Sequence, residues 1–226
     1  MTGQDAQPRE QTQNKGTPGA NPKMRLGILL SGRGSNFLAI ADAVLHGKLN
    51  AEIAIVISNV PDAPGIQRAA ALEFPTVVFP SKGRPRSEHD ADLVACLRRY
   101  EVDIVCLAGY MRLLSPEFIA AFPNRVLNIH PSLLPAFPGL DAQKQAFDYG
   151  VKWTGCTVHF VDEHLDHGAI ILQRAVPVFE NEDVYALAER ILAEEHMAYT
   201  EAIARVISGE WEIRERRYVK RETPHP

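Results

Sequence analysis

The chain predicts an α/β fold, a doubly wound sheet of about seven strands with helices on both faces, and three patterns point there. Short apolar runs alternate with segments of helical period along most of the chain. The first four runs are continuously apolar, as strands buried on both faces of a parallel sheet are. The last two strand candidates are joined only by the polar stretch 162–167 and Gly168, which predicts a mostly parallel sheet with a mixed C-terminal edge.

The first strand candidate, Arg25–Leu30, runs into Ser31-Gly32-Arg33-Gly34-Ser35-Asn36 and a helix over Phe37 to His46. Strand, glycine turn and helix in that order present free backbone N–H groups to an anion, so a phosphate is expected at the turn. A plain tight turn would read the same way. The third glycine of a dinucleotide fingerprint and the Gly-Lys-Ser/Thr of a Walker loop are both missing. Glu52–Ser58, Thr76–Phe79 and Asp103–Ala108 are the next strands. Gly109 to Leu114 then follows a strand's C-terminal end, where apolar side chains around one arginine suit a flat heteroaromatic ligand. The same residues also suit a plain turn into a helix capped by Ser115, with Pro116 and Glu117 in its first turn.

Val126–His130 is a short strand that Pro131 ends. Thr157–Val161 and Ile170–Val178 complete the sheet. A long helix over Asp183 to Ser208 carries Val184, Leu187, Ile191, Ala198 and Val206 on one apolar face, with Asn181 or Glu182 as its cap. Trp211 to Pro226, with Arg214, Arg216, Arg217, Lys220 and Arg221, fits strand, helix or coil equally well.

A length of 226 residues suits one domain with a full hydrophobic core, expected over residues 24–209 with a tail over 210–226. Residues 1–23 carry almost no large apolar side chains and are expected to form a disordered extension. The formal net charge of −4 argues against a broad nucleic-acid or membrane surface, while leaving room for a small anionic substrate. Cys96, Cys106 and Cys156 lie far apart in apolar runs, which predicts buried, reduced thiols and a cytoplasmic protein.

The densest chemistry is Asn128-Ile129-His130-Pro131-Ser132-Leu133-Leu134-Pro135, followed 36 residues after its histidine by Asp166. Strand alternation sends Asn128 and His130 to one face. An amide donor beside an imidazole suits addition to a carbonyl, and a partnering carboxylate favours the protonated ring. An isolated Asn-x-His is usually unremarkable. Here prolines 131, 135 and 138 with Gly139 fix an irregular loop after the strand, where α/β enzymes place their sites. His164 and His167 near Asp162, Glu163 and Asp166 lie in a polar turn without a cysteine pair, so no metal is expected. A Gly-x-Ser-x-Gly elbow is missing, and Ser132 reads as a loop brace.

Taken in order, Gly32 to Asn36, Ala108 to Arg112, Asn128 to Pro135 and Leu165-Asp166-His167-Gly168 resemble the folate-dependent formyltransferase family. The resemblance runs from about Met24 to Gly209 and, within that family, is strongest to the phosphoribosylglycinamide formyltransferases. It implies a Rossmann-like fold and transfer of a formyl group from 10-formyltetrahydrofolate, a consumed co-substrate, to the amine of 5-phosphoribosylglycinamide in purine synthesis. No tightly bound cofactor is implied. By the same resemblance Asn128 holds the formyl oxygen, His130 stabilises the oxyanion and relays a proton, and Asp166 orients and charges His130. Gly34, Ser35 and Asn36 match contacts to the substrate phosphate and Glu195 a contact to its ribose. Arg86, Met111, Arg112, Leu113 and Leu114, with Asn128, match the folate-binding residues.

Leu192 departs from the family, which often has a polar or basic residue three positions before that glutamate. The partners implied are the two small molecules, with neither nucleic acid nor membrane, in a monomer or homodimer. Formyltetrahydrofolate deformylase is the alternative, although its members carry an additional N-terminal regulatory domain. Methionyl-tRNA formyltransferases lack the Gly-x-Gly-Ser-Asn turn and add a C-terminal nucleic-acid-binding domain. A folate-binding module without turnover is a third reading, against which the full Asn/His/Asp set argues.

Overall fold

The computed structural model describes residues 22–222. The disordered extension expected over 1–23 falls outside them except for Pro22 and Lys23. The first half of the chain forms β1 (Met24–Leu30), α1 (Ser35–Leu45), β2 (Ala51–Ser58), α2 (Pro64–Ala71), β3 (Thr76–Val78), α3 (Arg86–Arg99) and β4 (Ile104–Leu107). The second half forms α4 (Pro116–Ala121), β5 (Val126–His130), α5 (Ala142–Tyr149), β6 (Trp153–Phe160), β7 (Ile170–Pro177), α6 (Val184–Ser208), β8 (Trp211–Arg214) and β9 (Arg217–Lys220).

The strands make one sheet in the order β3-β2-β1-β4-β5-β6-β7-β9-β8. Parallel pairing holds from β3 through β5, and β6 turns antiparallel against both neighbours, so the C-terminal edge is mixed as expected. The chain winds outward from β1 to β3 and then crosses to β4. This reversal opens a crevice beyond the C-terminal ends of β1 and β4, where α/β proteins bind ligands. Leu26, Ile28 and Leu30 enter one core with residues of α1, α2 and α6, while Leu29 enters another with residues of α3 and α4. A strand with both faces covered needs apolar residues throughout, which explains the continuous run in β1.

Four expectations need correction. Among the described residues the sheet has nine strands rather than about seven, because Trp211–Arg214 and Arg217–Lys220 form a hairpin whose second strand pairs with β7 through Ile170 and Arg217. β6 starts at Trp153 rather than Thr157. Gly155 disguised its beginning; in the strand it leaves space for the Arg174 carbonyl, which a Cβ at that position would meet at 1.9 Å. The α6 cap is Asp183, whose carboxylate accepts from the N–H groups of Tyr185 and Ala186 at 3.0 and 2.8 Å. Glu182 instead accepts from the Phe179 N–H and pairs with Arg190. Finally, Cys106 and Cys156 are buried free thiols, but Cys96, on α3, is only partly buried.

Tyr199 of α6 is fully buried, and its hydroxyl donates into the gap between the carbonyls of Leu107 and Leu127, at 3.1 and 3.0 Å. One phenol thereby pins the long helix to β4 and β5. Such a buried hydrogen bond contributes about 1 kcal/mol.

Candidate active site

Alternation along β5 sends Leu127 and Ile129 into the core beneath α6, leaving Asn128 and His130 on the opposite face. Antiparallel pairing with β6 then sets His159 directly across from Asn128 and Thr157 across from His130. Paired residues share a face, so a second buried histidine joins the pair that the sequence singled out.

Asp166 arrives from the loop between β6 and β7. Its Oδ2 lies 3.4 Å from His130 Nδ1 and accepts the Gly139 N–H at 2.8 Å; its Oδ1 lies 3.7 Å from His159 Nε2. The backbone at Asp166 is left-handed, with φ of 49°. Only 8% of the side chain is exposed, so the carboxylate faces the imidazoles rather than solvent. His130 donates from Nε2 to the Phe137 carbonyl at 2.8 Å. Both of its ring nitrogens therefore face oxygens.

The loop after β5 is held on every side. Ser132 donates to the Ala136 carbonyl at 2.5 Å, and Thr157 both accepts the Leu134 N–H and donates to the Ser132 carbonyl. Ser132 is a brace, as its position after the histidine suggested.

His159 is a site residue that sequence reasoning missed. Its Nδ1 donates to the Phe160 carbonyl at 2.7 Å, which leaves Nε2 to accept from the Asn128 amide nitrogen at 3.2 Å. Burial pushes its pKa below the ordinary histidine value, favouring this neutral form. The histidine thus orients the amide of Asn128. A lone histidine in an apolar strand gives no pattern to read, and only its register opposite Asn128 reveals the role.

At the expected phosphate turn, Gly34 is left-handed, with φ of 72°, and packs so close to α2 that a Cβ would lie 2.8 Å from the Gly65 Cα. Glycine at this position starts α1 at Ser35, two residues before the expected Phe37. Asn36 donates to Glu195 Oε2 at 2.7 Å across the α1–α6 contact. Among the described residues Asn36 Oδ1 is buried without a partner, and burial raises the Glu195 carboxyl above the usual carboxylate range. Leu192, one turn away on α6, is partly buried.

Beyond β4, Met111 and Leu113 are 72% and 51% exposed, an apolar wall at the mouth of the crevice, while Leu114 packs on the core. The Arg112 side chain is tied to the loop before α3. Its guanidinium donates to the carbonyls of Ser81 at 3.1 Å and Arg84 at 2.9 Å. Arg86 is exposed at the first position of α3, beyond the loop that Arg112 holds. In the 162–167 turn, His167 Nδ1 lies 2.8 Å from Asp162 Oδ2, and Arg216 from the C-terminal hairpin donates to the His167 carbonyl at 2.7 Å. Among the described residues no group of three or more His, Cys, Asp or Glu side chains is placed to hold a metal ion, and no helix is long and apolar enough to cross a membrane.

Residues 24–203 match the family model described as formyl transferase. The chain is 45% identical over 190 residues to the trifunctional purine biosynthetic protein adenosine-3 of Drosophila melanogaster, covering 83% of this chain and 14% of that protein. It is 41% identical over 187 residues to the chloroplastic phosphoribosylglycinamide formyltransferase of Vigna unguiculata, covering 80% of this chain and 60% of the relative. The chain therefore spans only part of the length of these relatives. Among solved structures, glycinamide ribonucleotide transformylase 1 from Symbiobacterium toebii superposes with a TM-score of 0.86 at 48% identity, covering 91% of this chain and all of that one. A formyltetrahydrofolate deformylase from Pseudomonas syringae superposes at 0.82 with 25% identity, covering 88% of this chain and 66% of its own. With its shared fold and a family match across most of its length, the chain belongs to the formyl transferase family.

Proposed function

We propose that the chain transfers the formyl group of 10-formyltetrahydrofolate to the amine of 5-phosphoribosylglycinamide, a step of de novo purine synthesis. The observation that carries this reading is the meeting of Asp166, His130 and Asn128, residues from two separate segments, in one cluster joined through His159. The glycyl amine attacks the formyl carbon, forming a C–N bond and a tetrahedral oxyanion. Asn128 supports that oxygen with the amide hydrogen that His159 leaves free. With His130 Nε2 occupied by Phe137, the proton in play is the one on Nδ1, beside Asp166. Collapse breaks the bond to the folate nitrogen, which takes up a proton as the amine loses one. The folate is a co-substrate consumed in each turnover.

Gly34, Ser35 and Asn36 bind the substrate phosphate through the α1 N-terminus, with Glu195 beside the ribose. Met111 to Leu114 and Arg86 bind the folate, Arg112 by way of its backbone. With Leu192 apolar, the phosphate grip rests on the turn. The formyltransferase domain starts at residue 24 and includes the β8–β9 hairpin, and the buried thiols of Cys106 and Cys156 suit a reducing, cytoplasmic setting.

Deformylase chemistry would use the same cluster with water in place of the amine. An assay with both substrates separates the two: the formyl-transfer reading expects formylated glycinamide ribonucleotide and no formate when the amine is left out. Formate release without the amine, at the rate seen with it, would overturn that reading.

A further inference from the structure

The geometry points to Asn59 as a positioning residue that locks the phosphate turn to the folate wall without touching either substrate. Asn59 follows β2 and is 7% exposed. Its Oδ1 accepts the hydroxyl of Ser31 at 2.5 Å, and its Nδ2 donates to the hydroxyl oxygen of Ser81 at 3.0 Å. Ser31 Oγ in turn accepts the N–H of Met111 at 2.8 Å. The neighbouring Arg112 returns to Ser81 by donating to its carbonyl. The circuit closes: Ser31, Asn59, Ser81, Arg112 and, through the chain, Met111.

This circuit joins the C-terminal ends of β1, β2 and β4 to the loop before α3. Ser31 is the residue before the phosphate turn, Met111 opens the apolar wall, and Ser81 leads to Arg84 and Arg86. Two backbone bonds run alongside, from the Ser31 N–H to the Gly109 carbonyl and from the Ser81 N–H to the Asn59 carbonyl. The hub needs two polar atoms on one short side chain, which an amide supplies and an aliphatic residue does not. Members of a buried polar circuit hold one another in a single arrangement.

Bringing two substrates into reacting contact demands such a fixed separation, and a misplacement of about 1 Å costs on the order of 10² in rate. The proposal rests on the formyl-transfer reading above, because it gives the two ends of the circuit their ligands.

The test compares the full chain with Asn59→Leu, Asn59→Asp and Ser81→Ala by steady-state formyl transfer and thermal unfolding. Asn59→Leu is expected to raise the KM for 10-formyltetrahydrofolate about tenfold or more and to lower kcat, since the bonds lost fix reacting geometry. Asn59→Asp should recover much of this, because one carboxylate oxygen accepts from Ser31 while the Ser81 hydroxyl turns to donate to the other. Ser81→Ala, which breaks one link only, should shift the same constants in the same direction by less. A lowered unfolding temperature with both KM values and kcat within twofold of wild type would reduce Asn59 to fold support and overturn the inference. Should Asn59→Leu not fold, Ser81→Ala decides alone: a raised folate KM supports the circuit and an unchanged one refutes it. Wild-type protein that makes no formylated amide would instead refute the formyl-transfer reading, whatever the variants do.

Discussion

Nε2 of His159 accepts a hydrogen bond from the amide nitrogen of Asn128 at 3.2 Å because Nδ1 is already committed to the Phe160 carbonyl. In the proposed transfer, that pairing decides which end of the Asn128 amide faces the reacting oxygen. His159→Leu removes the acceptor and frees the amide to turn over. Losing an oxyanion donor outright costs on the order of 10²–10³ in turnover, so a partial loss near tenfold is expected here, with little change in folate KM. Single-turnover formyl transfer measures it; an unchanged rate would show that Asn128 needs no orienting partner.

His159 also sets a direction for pH dependence. Its folded-state pKa is pushed below the ordinary 6.5 by burial, so the unfolded chain takes up a proton at this position before the folded protein does. The stabilising contribution is complete above that value and declines as pH falls toward the folded pKa. Denaturant unfolding between about pH 5 and pH 7.5 should show stability dropping on the acid side, less steeply in His159→Leu. An identical slope in the two proteins would remove His159 from the account.

Asp166→Asn is expected to keep the fold and abolish the chemistry. Asparagine tolerates the left-handed backbone at this position, and its amide oxygen can still accept from the Gly139 N–H. The variant changes the charge beside His130 Nδ1 and little else. A fall in kcat of at least about 10² with an unaltered circular dichroism spectrum is the expected result. Near-normal turnover would show that the carboxylate charge is dispensable.

Gly34→Ala tests the phosphate turn. The new methyl meets Gly65 in a backbone conformation that L-residues avoid, at a conformational cost of roughly 1–2 kcal/mol before any clash. Gly47→Ala is the control, being left-handed too, with φ of 69°, but with no atom within 4 Å of the added carbon. Both should lose stability. Only Gly34→Ala should raise the KM for 5-phosphoribosylglycinamide; equal KM values in the two would place the phosphate elsewhere.

The sequence was most legible where one physical demand acts on many neighbouring residues. Both faces of β1 are covered, so its apolar run could be read directly, and strand alternation placed Asn128 with His130 before any coordinates. Legibility failed where the meaning of a residue lies across the sheet. The start of β6 was read too late because the carbonyl that Gly155 admits belongs to Arg174. His159 looked ordinary because its partner is set by register, and the bonds that hold Arg112 were hidden because the carbonyls it serves are about thirty residues upstream. The β8–β9 hairpin was ambiguous for the same reason: Trp211 and Tyr218 stack at 5.6 Å, a contact that charged neighbours conceal in one dimension.

That hairpin has a consequence for anyone shortening the protein. Cutting after Gly209 would remove the pairing of Arg217 with Ile170 at the outer side of β7 and strip Phe160 of the Tyr218 ring packed against it at 5.3 Å. It would also release the His167 carbonyl from Arg216, one residue beyond the aspartate on which the proposed chemistry turns. A trimmed version should therefore lose stability and activity together, two failures with a single cause.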